Sequence, residues 1–96
     1  MRKIEQQMNQ AIREGQDWAG GNTTVTHTGA GSGLVTLHGH RIAWFADCGN
    51  EITVDQDTLE DWPTVSTLSR LRALGADVCR RNNSIYLNGG YICRAY

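Results

Sequence analysis

Ninety-six residues, 40% hydrophobic and 20% charged, make one folded domain (1–96) with a single modest core and exclude a disordered chain. There is no stretch of about 18 apolar residues, so no membrane-spanning helix is expected. The net charge of −1 hides a split: residues 1–63 hold four Lys/Arg and nine Asp/Glu, residues 64–96 hold five Arg and only Asp77, so the halves stand near −5 and +4.

The opening Met1-Arg2-Lys3-Ile4-Glu5-Gln6-Gln7 lacks the apolar centre of a signal peptide, so a cytoplasmic location is expected. Residues 2–14 then read as an amphipathic helix. Ile4, Met8, Ala11 and Ile12 fall on one stripe at helical spacing, and Gly15 suits the C-terminal cap. Trp18 is expected to fold back into the core, with Gly20-Gly21 closing a linker. Thr23–Thr28 is rich in β-branched residues and reads as a strand. Gly29-Ala30-Gly31-Ser32-Gly33 reads as a mobile hairpin loop. It is not a phosphate loop, because a strand follows it rather than a helix and it has no Lys.

The stretch from Leu34 to Phe45 carries the clearest signal. Two apolar runs flank His38-Gly39, a two-residue turn with Gly second. The register that follows sets Leu37 opposite His40, Thr36 opposite Arg41 and Val35 opposite Ile42. Val35, Leu37, Ile42 and Trp44 then share the core face. The pattern returns in Ser84–Cys93, where Asn88-Gly89 is the preferred turn dipeptide. Each hairpin is preceded by a short strand and a helix. Two readings stay open: two similar helix–strand–hairpin halves, or two independent hairpins with ordinary turns.

Between them, Ala46–Asn50 reads as a turn and Glu51–Asp55 as a strand. Residues 47–61 hold six acids and no base, a solvated face or an acidic docking surface. Trp62-Pro63-Thr64 announces a second helix, with Thr64 or Ser66 as cap and Gly75 as its end. Val65, Leu68, Leu71 and Leu74 are its expected buried stripe, with Ser69, Arg70 and Arg72 outside. Ala76–Arg81 is a further strand, and Asn82-Asn83 turns it into the last hairpin. There Tyr86 and Tyr91 face each other on the side opposite Ile85, Leu87 and Ile92. Arg94-Ala95-Tyr96 reads as a loose tail.

The chemistry-bearing residues are sparse. Cys48, Cys79 and Cys93 are odd in number and scattered, which favours reduced, buried thiols. His38 and His40 flank a turn and suit joint metal ligation poorly, so no metal and no cofactor are expected. Pairing Cys48 with His27 for nucleophilic catalysis lacks an orienting third group, and no catalytic residue is expected. Arg70, Arg72, Arg80 and Arg81 could meet phosphates while Tyr86 and Tyr91 stack on bases, yet the chain has no dense basic patch. The same aromatic and Arg residues are common anchors of protein interfaces.

Taken in order, Asn22-Thr23-Thr24-Val25, Val35–Ala43, Trp62-Pro63-Thr64 with Thr67–Leu71, and Tyr86-Leu87-Asn88-Gly89 resemble a group of small accessory proteins from tailed bacteriophages. So does the opening Met1–Met8. The resemblance implies expression in a bacterial cytoplasm and an accessory role, and it brings no activity or functional residue with it. The expected protein is α+β, two helices on antiparallel β-hairpins. Non-enzymatic binding of a host protein, or self-association into a homo-oligomer, is the first reading. Nucleic-acid binding through the Arg-rich C-terminal half is the second.

Overall fold

A computed structural model describes residues 2–94. The elements are α1 (Lys3–Glu14), β1 (Trp18–Gly20), β2 (Thr23–Gly29), β3 (Ser32–Leu37), β4 (His40–Ala46), a 3₁₀ turn at Asp47–Gly49, β5 (Glu51–Val54), α2 (Gln56–Asp61), α3 (Val65–Ala73), β6 (Val78–Arg81), β7 (Ser84–Leu87) and β8 (Gly90–Arg94). The strands form two antiparallel sheets, β1-β2-β3-β4-β5 and β6-β7-β8. This is the expected α+β fold of helices on hairpins, with one extra helix. The sequence hides α2 because its six residues carry a single buried apolar side chain, Leu59, and so no periodicity. The Asp55 carboxylate caps it, accepting the Thr58 N–H at 3.2 Å.

The first hairpin keeps the expected register only near its turn. Leu37 pairs with His40 and Thr36 with Arg41, but Val35 pairs with Ala43, leaving Ile42 as an extra residue at a bulge. The bulge shifts the alternation along β4. Ile42 and Ala43 are both buried, Phe45 turns inward, and Trp44 lies on the outer face, not in the core. The second hairpin makes the same move: Leu87 pairs with Gly90, Tyr86 with Tyr91, and Ile85 with Cys93, so Ile92 is the extra residue.

The likeness extends along the chain. His38 N–H donates to Asn22 C=O at 2.7 Å, and Asn88 N–H donates to Asp77 C=O at 2.8 Å, so each turn is tied to the start of the preceding strand. Gln16 N–H reaches Ala11 C=O and Ala76 N–H reaches Leu71 C=O, both at 3.0 Å, closing α1 and α3 alike. Of the two open readings, the geometry matches two similar helix–strand–hairpin units. β1 is added to the first, and β5 with α2 joins them. Both turns need left-handed backbone, at φ 52° and 80° for His38 and Gly39 and at φ 53° and 81° for Asn88 and Gly89. Gly89→Ala meets no atom within 4 Å. Only backbone strain remains, so it should cost about 1–2 kcal/mol in urea unfolding.

Four further expectations need correction. Residues 18–20 are the edge strand β1, paired Trp18 to Val25, rather than a linker. The glycine-rich stretch is not a mobile loop, since β2 and β3 run up to a turn at Ala30-Gly31. Gly33 is required by packing: a Cβ there would stand 2.1 Å from Thr26 C=O and 2.6 Å from Phe45 Cζ. Val65 is exposed, because the helix begins there and the buried side of α3 starts at Thr67 and Leu68. Thr64 is the cap, accepting the Thr67 N–H at 3.2 Å. Arg94 belongs to β8 and is not part of a tail. Ala95 and Tyr96 lie outside the described residues.

The core lies between the inner faces of the sheets and the helices. Met8 and Ile12 from α1 and Leu68 and Leu71 from α3 meet Val25, Val35, Leu37, Ile42 and Phe45, with Val78 and Ile85 from the small sheet.

Candidate functional site

The four arginines singled out in the sequence do not form one patch. Arg70 is buried, contrary to its expected place outside α3. Its Nη1 donates to Glu5 Oε2 at 2.8 Å and its Nε to Thr23 Oγ1 at 3.0 Å. Ser69, also expected outside, donates its hydroxyl to the same Glu5 oxygen at 2.6 Å. Burial pushes the Glu5 carboxyl up, but the hydrogen bonds from Ser69, Arg70 and the Arg2 amide, with the Arg70 charge, outweigh it and hold the group below its usual value. Sequence reasoning missed Glu5, although a signal was present. Glu5 stands on the same helical stripe as Met8 and Ile12, where an acid is tolerated only with a partner.

Arg72 is exposed on α3 and donates from Nε to Val78 C=O at 2.9 Å, tying the helix to β6. Arg80 and Arg81 are neighbours on β6 and point to opposite faces. Arg80 shares its face with Ile85 and reaches Asn83 Oδ1 at 2.9 Å. Arg81 lies on the outer face, its guanidinium 5.7 Å from the centre of the Tyr86 ring. Tyr86 and Tyr91 pair across the strands as the sequence predicts, edge to face at 6.1 Å. Tyr91 is 62% exposed.

Three of the six singled-out residues therefore come together: Arg81, Tyr86 and Tyr91. Strand pairing adds Cys79 opposite Tyr86, and Ser84 opposite both Arg81 and Arg94. The three strands carry no acid. The face exists because Asn82 and Asn83 accept φ of 51° and 64°, which closes β6 onto β7 in two residues. Ile85 then fills the core behind it.

Other aromatic groups are also presented to solvent. Trp44 sits on the outer face of the larger sheet beneath the Arg41 guanidinium, 4.3 Å from the ring centre. Its cross-strand neighbours are Leu34 and Thr53, and further along the same face Thr24 and Thr36 share a side-chain hydrogen bond. His40, expected beside Leu37 at the hairpin end, stacks on Trp62 at 5.0 Å. His38 occupies the turn.

The imagined Cys48–His27 pair does not form. His27 Nδ1 faces Asp17 Oδ1 at 3.2 Å and its ring edge meets Phe45. The His27 backbone amide, then its side chain, lower the Asp17 carboxyl. Cys48 is exposed on the 3₁₀ turn rather than buried, and Cys79 and Cys93 are half-buried. Burial, then the nearby Glu60 charge, push the Cys93 thiol up, and its Sγ lies 3.9 Å from Leu59 C=O. Among the described residues no three His, Cys, Asp or Glu side chains converge as metal ligands. Of the six acids at 47–61, Asp55 is drawn inward to cap α2 and to meet Arg41 Nε at 3.2 Å.

These features define a small α+β protein of two helix–hairpin units, with open sheet faces carrying Arg beside Tyr or Trp. The chain belongs to the Kyanoviridae Gp96 protein family, whose model matches residues 1–94. Kyanoviridae are tailed cyanophages, so the resemblance to tailed-phage proteins holds. The search of curated proteins and the search of solved structures returned no match. Among the described residues no helix is long and apolar enough to cross a membrane.

Proposed function

We propose that this phage protein acts without catalysis, as an accessory factor in the cytoplasm of the infected cell that docks on a host protein through the outer face of β6-β7-β8. One observation carries the reading: Tyr86, Tyr91 and Arg81 stand together on an open sheet face, while Arg70 is consumed inside the fold. Tyr and Arg concentrate binding energy because they offer large contact area with few rotors and several donors. A phosphate-tracking groove needs many cations along one path, and here Arg70, Arg72 and Arg80 point elsewhere.

A specific observation supports nucleic acid as the second reading. Arg81 and Arg94 share the tyrosine face, and no acid lies on these strands. Capture from host lysate, with and without nuclease, separates the two. The first reading expects one host protein in both samples, with weak dependence on salt. The second expects recovery only without nuclease, falling steeply with salt. Recovery of this chain alone, as a homo-oligomer, would replace both with self-association. Tyr91→Ala should change stability by no more than about 0.5 kcal/mol, since it removes an exposed ring. Host-protein capture should fall about 30-fold, the loss expected of an interface anchor. Unchanged capture by Tyr91→Ala and by Arg81→Glu would rule this face out.

A further inference from the structure

A second surface follows from the backbone alone and does not depend on the tyrosine face. β5 is the end strand of the five-stranded sheet, and among the described residues β4 is its one strand neighbour. The pairs are Ala43 with Val54, Trp44 with Thr53, Phe45 with Ile52 and Ala46 with Glu51. Just beyond them, Asp55 N–H donates to Ile42 C=O at 2.9 Å. Hydrogen-bonded and non-hydrogen-bonded pairs alternate along an antiparallel ladder. Asp55, Thr53 and Glu51 therefore turn their amide groups toward β4, while Ile52 and Val54 turn theirs outward. Among the described residues, no backbone bond from a turn, loop or cap reaches either one.

These outward groups face a groove of about 640 Å³ that runs along β5 from Gly49 to Gln56. Its far wall is the end of α3 and the second hairpin turn, including Leu74, Asp77 and Leu87. We propose that this groove takes an extended basic segment of a partner protein, which adds to β5 as a sixth strand.

The unpaired N–H and C=O groups call for a strand, because only extended backbone repeats donors and acceptors at their spacing. The side chains set its pattern. Ile52 and Val54 lie on the inner face and Leu74 and Leu87 line the groove, so alternate partner residues must be apolar. The charge sets its sign. Among the described residues Asp77 is the one charged lining residue, Glu51 and Asp57 stand near the ends of β5, and no Lys or Arg occurs between residues 42 and 69. A second copy of β5 is a poor occupant. It would bring a second Glu51 and a second Asp57 to an edge whose segment, residues 42–69, supplies no Lys or Arg, and like charges brought together across a strand pair destabilise it. Those acids suppress the edge-to-edge association that an open strand invites, while leaving it available to a cationic strand.

The test follows single amides by hydrogen exchange while a capped hexapeptide of alternating valine and lysine is titrated in. In the free protein, Thr53 should be protected and Ile52 and Val54 should exchange fast. Saturating peptide should slow Ile52 and Val54 at least about tenfold, as new strand bonds require. Glu51→Lys, a surface change that preserves the fold, should weaken the lysine peptide about tenfold and favour a valine–glutamate peptide. Val54→Pro removes a donor aimed at the groove rather than at β4, and should abolish binding. Ile52 and Val54 amides that stay unchanged at millimolar peptide would overturn the proposal. Protection that grows with protein concentration alone would also overturn it, in favour of self-pairing. Protection confined to β6–β8 would reject this groove while leaving the tyrosine face in play.

Discussion

Arg70→Met should lower the unfolding free energy by about 3–5 kcal/mol, because it strands the Glu5 carboxylate in the core without its cation. The Glu5 and Arg70 side chains are only 4% and 7% exposed, so water cannot replace the lost partner. Glu5→Leu combined with Arg70→Met should recover most of the loss, since an apolar pair of similar volume leaves no charge behind. Chemical denaturation of the two single variants and the double variant gives the coupling directly. A cost below about 1 kcal/mol for Arg70→Met would place the pair among weak surface bridges.

The same pair sets an acid limit. The folded Glu5 carboxyl sits below its usual value, so the unfolded chain takes up the proton first. The contribution is complete above the unfolded carboxylate value of about 4.3. It is lost as the pH falls from there through the lower folded value. Glu5→Gln should flatten that acid limb of the stability profile. An acid limb that survives unchanged in Glu5→Gln would assign it to another carboxylate.

Ile85→Ala should cost about 2–5 kcal/mol, the range for deleting a large core side chain. Ile85 is fully buried and belongs to the small sheet, yet it packs into the same core as Met8 and Phe45. The loss should therefore lower one common transition, read alike by tryptophan fluorescence and by backbone dichroism. Two separated transitions would show that β6–β8 unfolds by itself.

How far the local chain carries the fold is clear from particular elements. His38-Gly39 and Asn88-Gly89 announce their turns because left-handed backbone is a property of two residues and needs nothing distant. Gly15, Gly75 and Thr64 mark helix ends for the same reason. The tyrosine pair was legible because opposition follows once a tight turn sets the register. Trp44 and Phe45 exchanged places because a bulge one residue wide inverts every later side chain, and no local pattern announces it. Arg70 and Ser69 were misplaced because α3 carries polar residues on its buried side, and their partner Glu5 is more than 60 residues away.

By itself, then, the sequence determined the α+β class, both hairpin turns, the ends of α1 and α3, and the Tyr86–Tyr91 pair. Each of these rests on interactions within a few residues. Only the tertiary structure decided which arginines reach solvent, which aromatic ring faces the core, and that the edge of β5 opens onto a groove. Each of those depends on which distant backbone or charge comes to lie beside it.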